Sequence, residues 1–180
     1  MKHFSISKKN IFETSKLIVN AKTIGGSSVI IPHVCNNVDL FGAGFAAAVA
    51  ATYPISKDNY HLLGKKFLKD HPGYTQFIDV SYEKQYNRRL IIANMIAQNG
   101  VRSKNNPRPL NYAYLTKSML EVKKFININF DSENSVEIHC PKFGSGLAGG
   151  NWKFIEYLIE DIWNNIKVVV HEVSTSFDRV

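Results

Sequence analysis

The chain has 180 residues, 44% of them apolar and 21% charged, with two cysteines, a profile that excludes fibrous, intrinsically disordered and disulfide-stapled classes. A chain of this length buries roughly two-thirds of the surface its unfolded form exposes, so residues 1–180 read as one domain whose core needs no metal or disulfide. The formal charge of +7 favours anionic partners, but the basic residues occur as short pairs such as Lys65-Lys66 and Arg88-Arg89 without interleaved aromatics, which argues against direct nucleic-acid recognition.

In chain order, Met1 to Lys9 mixes Lys, His and Ser with single apolar residues and lacks the continuous hydrophobic stretch of a secretory signal. Ser28 to Cys35 reads as a buried strand ending at Asn36-Asn37, and Gly44 to Tyr53 as a small-residue helix stopped before Pro54. Ser56 to Lys69 predicts a second, more polar helix closed by His71-Pro72-Gly73. Gln76 to Tyr82 alternates as a half-exposed strand does, whereas Arg89 to Ala97 is apolar enough for a central one. After the Pro-rich loop Lys104 to Leu110, Asn111 to Asn127 predicts a helix with Ala113, Leu120, Val122, Phe125 and Ile126 near one face. Val136 to Cys140 is a further strand, Lys142 to Gly150 a second Gly-rich loop, Trp152 to Asn165 a last helix and Val168 to Val173 a last strand. The alternation predicts an α/β fold with a mixed central sheet sandwiched between helices. No apolar run approaches the ~20 residues of a membrane span.

Cys35 and Cys140 lie in apolar strands, where free thiols act as small buried hydrophobes in a reducing compartment, so a cytoplasmic setting is expected. Histidines 3, 61, 71, 139 and 171 are scattered without zinc-type spacing, and neither a metal nor a cofactor is predicted. Open sheets bind ligands at the carboxyl ends of their strands, where helix N-termini face an anion. Both Gly-rich loops fall at such ends, and two of them suit a diphosphate better than one. Neither completes a P-loop or a G-x-G-x-x-G fingerprint.

The run His33-Val34-Cys35-Asn36-Asn37-Val38-Asp39-Leu40-Phe41-Gly42-Ala43-Gly44-Phe45-Ala46, together with Lys142-Phe143-Gly144-Ser145-Gly146-Leu147-Ala148-Gly149-Gly150-Asn151-Trp152, resembles the two ligand loops of macro domains. The resemblance implies an ADP-ribose ligand. Asn36 and Asn37 would lie beside the distal ribose, Gly42, Ala43, Gly44 and Phe45 would cradle the diphosphate, and Gly144, Ser145, Gly146, Leu147, Ala148 and Gly149 would cover it. Asn10 and Ile11 would meet the adenine, Asn10 through its amide oxygen, and Phe177 would stack on the base or simply pack. Asn36-Asn37 also fits an ordinary strand-end turn.

Within that family the pattern resembles the branch of ADP-ribose-1″-phosphate phosphatases and terminal ADP-ribose glycohydrolases. The glycohydrolase Lys and Asp are absent, since the first helix reads Ala46-Ala47-Ala48 and Ala148 follows Leu147. The phosphatase pattern His33-Val34-Cys35-Asn36 is present and implies His33 and Asn36 as catalytic residues, His33 as a general acid/base titrating near neutrality. A buried structural histidine is the other reading, and Asp39 is the nearest candidate carboxylate. Expected partners are ADP-ribose or ADP-ribose-1″-phosphate and ADP-ribosylated macromolecules. A module that binds ADP-ribose without catalysis, and an ADP-ribosyl hydrolase, are the alternatives.

Overall fold

The computed structural model describes residues 4–23, 26–132 and 135–172. Among them the chain runs β1 (Phe4–Ser7), α1 (Ile11–Val19), β2 (Ser28–Asn36), α2 (Phe45–Thr52), α3 (Pro54–Asp70), β3 (Thr75–Glu83), β4 (Arg88–Gln98), α4 (Tyr112–Asn129), β5 (Val136–Pro141), α5 (Trp152–Ile162) and β6 (Lys167–His171). The six strands form one sheet in the order β1-β6-β5-β2-β4-β3, parallel except for β3, which pairs antiparallel with β4.

The apolar runs occupy the centre because a strand covered on both faces must be hydrophobic at every position. Along β2, Val29 and Ile31 enter one core with α1, α2 and α3, while Ile30 enters the other with α4 and α5. On β4, Ile92 and Ile96 face the first core, and Ile91 and Met95 face the second. The result is the mixed sheet between helical layers that the alternation predicts. No helix of the described residues is long and apolar enough to cross a membrane.

Several expectations are corrected. Neither β1 nor α1 is among the predicted elements: β1 is four residues long, while α1 packs Ile11, Phe12, Ser15, Ile18 and Val19, at helical spacing, against the core. The buried face of α4 is Leu115, Met119, Val122 and Ile126, while Leu120 is 52% exposed and Ala113 also faces out. Helix α3 breaks at Gly64, whose φ of 74° lies in the left-handed region. Helix α5 stops at Ile162, where the buried Trp163 donates its indole N–H to Met119 O at 3.0 Å. Strand β6 ends at His171, and Val173 and Phe177 lie outside the described residues.

Candidate functional site

Five parallel strands bring their carboxyl ends to one side of the sheet, and a cleft of about 710 Å³ opens there. Its walls come from Asn10 and Ile11 after β1, His171 and Glu172 at β6, Pro141 and Lys142 at β5, His33 and Val34 on β2, and Gln98 and Arg102 at β4. Those five ends span roughly 19 Å at about 4.8 Å between neighbouring strands, so the cleft suits an extended ligand.

The two glycine-rich segments face each other across it. Ala43, Gly44, Phe45 and Ala46 form one lip, and Gly144, Ser145, Gly146, Leu147 and Ala148 form the other. Helices α1, α4 and α5 each have an asparagine N-cap, Asn10, Asn111 and Asn151, accepting first-turn N–H groups. Helix α2 has Gly44, which supplies no side-chain acceptor, at φ 56°, so the N–H groups of Phe45 and Ala46 stay open at its positive end. On the other lip, the amides of Gly146, Leu147 and Ala148 find no acceptor among the described residues, whereas Gly149 and Gly150 bond back to Gly146 O and Gly144 O. Backbone N–H groups without an internal acceptor thus stand on both lips of the cleft.

The asparagines of the first loop have structural work instead. Asn36 accepts from the N–H groups of Val38 and Leu40 and from the Tyr60 hydroxyl, and donates to Leu40 O. Asn37 accepts from Gly100 N–H and donates to Asn99 Oδ1, tying the loop to the segment after β4. Neither is among the residues that line the cleft, nor are Gly42 and Gly149. Gly149 is held behind its lip, where a Cβ would lie 2.8 Å from Pro107 O. Asn10 lines the cleft, but its oxygen caps Phe12 and Glu13 N–H at 2.9 and 3.1 Å. The expected contact of that oxygen with an adenine amino group is therefore replaced, since both lone pairs already have donors.

His33 sits in the cleft wall yet is only 1% exposed, edge-on to Phe41 and Phe45. The register places it beside Asn94. Asn94 spends its amide nitrogen on Ser56 O and Gln76 Oε1, so its oxygen faces His33, and the Nε2–H of His33 donates to it at 2.7 Å. The remaining ring nitrogen, Nδ1, faces the Cys35 sulfur at 3.8 Å. Burial lowers the His33 pKa to about 4 and pushes the Cys35 thiol up. The expectation of an imidazole titrating near neutrality is thus corrected: desolvation disfavours the charged ring. Asp39 is not its partner, because its carboxylate accepts from His61 Nδ1–H at 2.7 Å. Both cysteines are buried free thiols.

Sequence reading missed Gln98, Arg102, Lys142, His171 and Glu172 as cleft residues. The signal was available, since each follows or ends a parallel strand on the ligand-binding side. Lys142 is paired with Glu172 at 2.7 Å, whereas no acidic partner of Arg102 is found among the described residues. The cleft's charged side chains thus sum to a net positive wall.

No family model matches the chain. It is 24% identical over 150 residues, 76% of its length and 82% of the other's, to a protein of Lodderomyces elongisporus named ADP-ribose 1″-phosphate phosphatase. Among solved structures, a protein of unknown function from Bacteroides thetaiotaomicron is 25% identical with a TM-score of 0.74, the match covering 94% of this chain and 98% of that one. A macrodomain protein from Streptomyces coelicolor is 25% identical with a TM-score of 0.64 over 94% of this chain and 98% of its own. The DarTG protein of Thermosipho africanus, solved in complex with ADP-ribose, is 15% identical with a TM-score of 0.55 over 79% of this chain and 37% of its own. With its strand order, its two facing loops and sequence shared over most of its length with these proteins, the chain has the fold of the macrodomain proteins it resembles.

Proposed function

We propose that the cleft binds ADP-ribose or a derivative modified at its terminal ribose. The observation that carries this reading is that residues of both cleft lips, Phe45 and Ala46 on one and Gly146, Leu147 and Ala148 on the other, keep backbone N–H groups without an internal acceptor. A diphosphate presents several acceptor oxygens on two adjacent phosphorus atoms. It is matched by donors arriving from two sides and by the positive end of α2. The nucleoside then extends toward Asn10 and Ile11, and the second ribose toward Gln98 and Arg102.

A second reading, hydrolysis of ADP-ribose-1″-phosphate to ADP-ribose and phosphate, is favoured by the Lodderomyces relative of that name. In it, Arg102 and the loop amides would stabilise charge on the phosphoryl oxygens. His33 enters as a neutral wall rather than as a proton donor, its Nε2–H being committed to Asn94. Asn36 would act on the site only through the loop it organises.

Calorimetric titration with ADP-ribose, paired with phosphate release from ADP-ribose-1″-phosphate in the same preparation, separates the readings. Binding without release makes the protein a reader of ADP-ribose or of ADP-ribosylated macromolecules, and binding with release makes it a phosphatase. Absence of binding overturns the ligand assignment.

A further inference from the structure

Running from the cleft wall at His171 into the interior, on the face of β5 and β6 toward α1, four residues form a continuous chain of contacts. Glu137 Oε2 lies 3.1 Å from His139 Nε2, His139 Nδ1 lies 2.9 Å from His171 Nε2, and His171 Nδ1 lies 2.8 Å from Lys9 O. His139 and His171 are 2% and 4% exposed. Lys9 O belongs to the peptide unit that leads into Asn10, so the last contact fixes the corner of the cleft where Asn10 caps α1.

The two ends of this chain are a carboxylate and a carbonyl, which only accept. His139 Nε2 and His171 Nδ1 must therefore both carry protons, and the bridge between the rings needs a third. Two neutral imidazoles carry only two. With the third proton every contact is a donor facing an acceptor. Without it one contact must set two lone pairs against each other.

We propose that His139 and His171 share one extra proton, balanced by the Glu137 carboxylate, and act as a latch that positions the Lys9–Ile11 corner of the cleft. The latch is closed while the pair is protonated and is released when it loses that proton. His171 is a positioning residue in this scheme, because both its nitrogens are occupied and it offers no N–H to a ligand. Glu137 is ionised wherever the pair titrates, since the His139 hydrogen bond holds its pKa down at about 2. Burial lowers the His171 pKa, and the balancing carboxylate lies against His139. The other charged groups at the network are Lys167, 3.0 Å from Glu137, the Lys142–Glu172 ion pair, and the exposed Lys9, whose carbonyl takes the His171 bond; on α1, Glu13 and Lys16 are exposed, the latter over the Tyr53 ring.

Replacing Glu137 by Gln gives a test that a merely structural network would fail. A glutamine amide can donate to His139 Nε2, so two neutral rings then satisfy all three contacts and the latch needs no extra proton. Nitrogen-detected NMR of the free wild-type protein should show three ring N–H groups on this pair at low pH and two at high pH, whereas E137Q should show two throughout. Across the same transition, exchange of the Phe12 and Glu13 amides, which Asn10 caps, should accelerate beyond its intrinsic pH dependence in the wild type and not in E137Q. Only the affinity measurement rests on the ligand reading above: ADP-ribose binding should weaken roughly three- to ten-fold from below to above the wild-type midpoint, the worth of one buried hydrogen bond, with a flat profile in E137Q. Two ring protons at every pH in the wild type, or an E137Q exchange profile that keeps the wild-type pH dependence, would overturn the latch. Failure to bind ADP-ribose would instead fall on the ligand assignment and leave the NMR and exchange results to decide.

Discussion

Acid stability offers a direct measure of how deeply His33 is buried. Its folded pKa of about 4 lies below its ordinary value of 6.5, so the fold prefers the neutral ring. The stabilisation is whole above pH 6.5 and is lost as the pH falls from 6.5 toward 4. A displacement of that size corresponds to about 3 kcal/mol in total, of which about 2.5 kcal/mol is lost between pH 7.5 and 4.5. The perturbation is His33→Gln, whose amide nitrogen can still donate to Asn94 Oδ1 but which cannot ionise. It sacrifices edge contacts with Phe41 and Phe45 worth about 1 kcal/mol. Urea unfolding followed by circular dichroism at pH 7.5, 6.5, 5.5 and 4.5 should therefore show the variant below the wild type at the first pH and above it at the last. Glu137, whose window runs from 4.5 down to about 2, titrates below this range in both proteins and cancels. Parallel stability curves would refute the reasoning, and would return His33 to the pool of groups able to exchange protons with a ligand at neutral pH.

The cleft and its supports give further expectations. No heavy atom lies within 4 Å of a Cβ built on Gly146, so Gly146→Val should leave Tm nearly unchanged while weakening ADP-ribose binding more than ten-fold by calorimetry, roughly 1.4 kcal/mol or more. Unchanged affinity would remove that lip from the contact. Gly150→Ala should do the reverse and cost about 1–3 kcal/mol in thermal unfolding, because its Cβ would meet Leu110 Cδ2 at 2.3 Å and Gly144 O at 2.6 Å. Asn36→Ala strands the N–H groups of Val38 and Leu40 and the Tyr60 hydroxyl. It should lower stability by about 2 kcal/mol and affinity together, whereas a direct ligand role would lower affinity alone.

Most of the fold was legible because strand and helix periods differ and the central strands are apolar at nearly every position. Ser28–Asn36 and Arg88–Gln98 announce themselves this way. Of the two elements that escaped, β1 carries little local signal, with only Phe4 buried, whereas α1 does carry one, Ile11, Phe12, Ser15, Ile18 and Val19 at helical spacing behind an asparagine cap. In α4 a periodic reading chose Leu120 over Met119, one position around the helix, and only the sheet decides which stripe faces inward.

The candidate site was legible in part, and its misreadings share a cause. Asparagine can hold a ligand or hold a loop with the same atoms, and here Asn36, Asn37 and Asn10 all spend their oxygens on backbone N–H groups. The donors left open belong to the backbone and so have no residue type to betray them. What distinguishes them is a missing cap. Three helices of this chain begin at an asparagine that closes the first turn, α3 begins at Tyr53 with Pro54 in its first turn and no side-chain cap, and α2 begins at a glycine that leaves its first turn open toward the cleft. An open first turn carries a small cost if nothing ever fills it, since a glycine cap forgoes roughly a few tenths of a kcal/mol relative to asparagine. Its survival at the one helix start that meets a second open loop is the pattern an anionic ligand would complete.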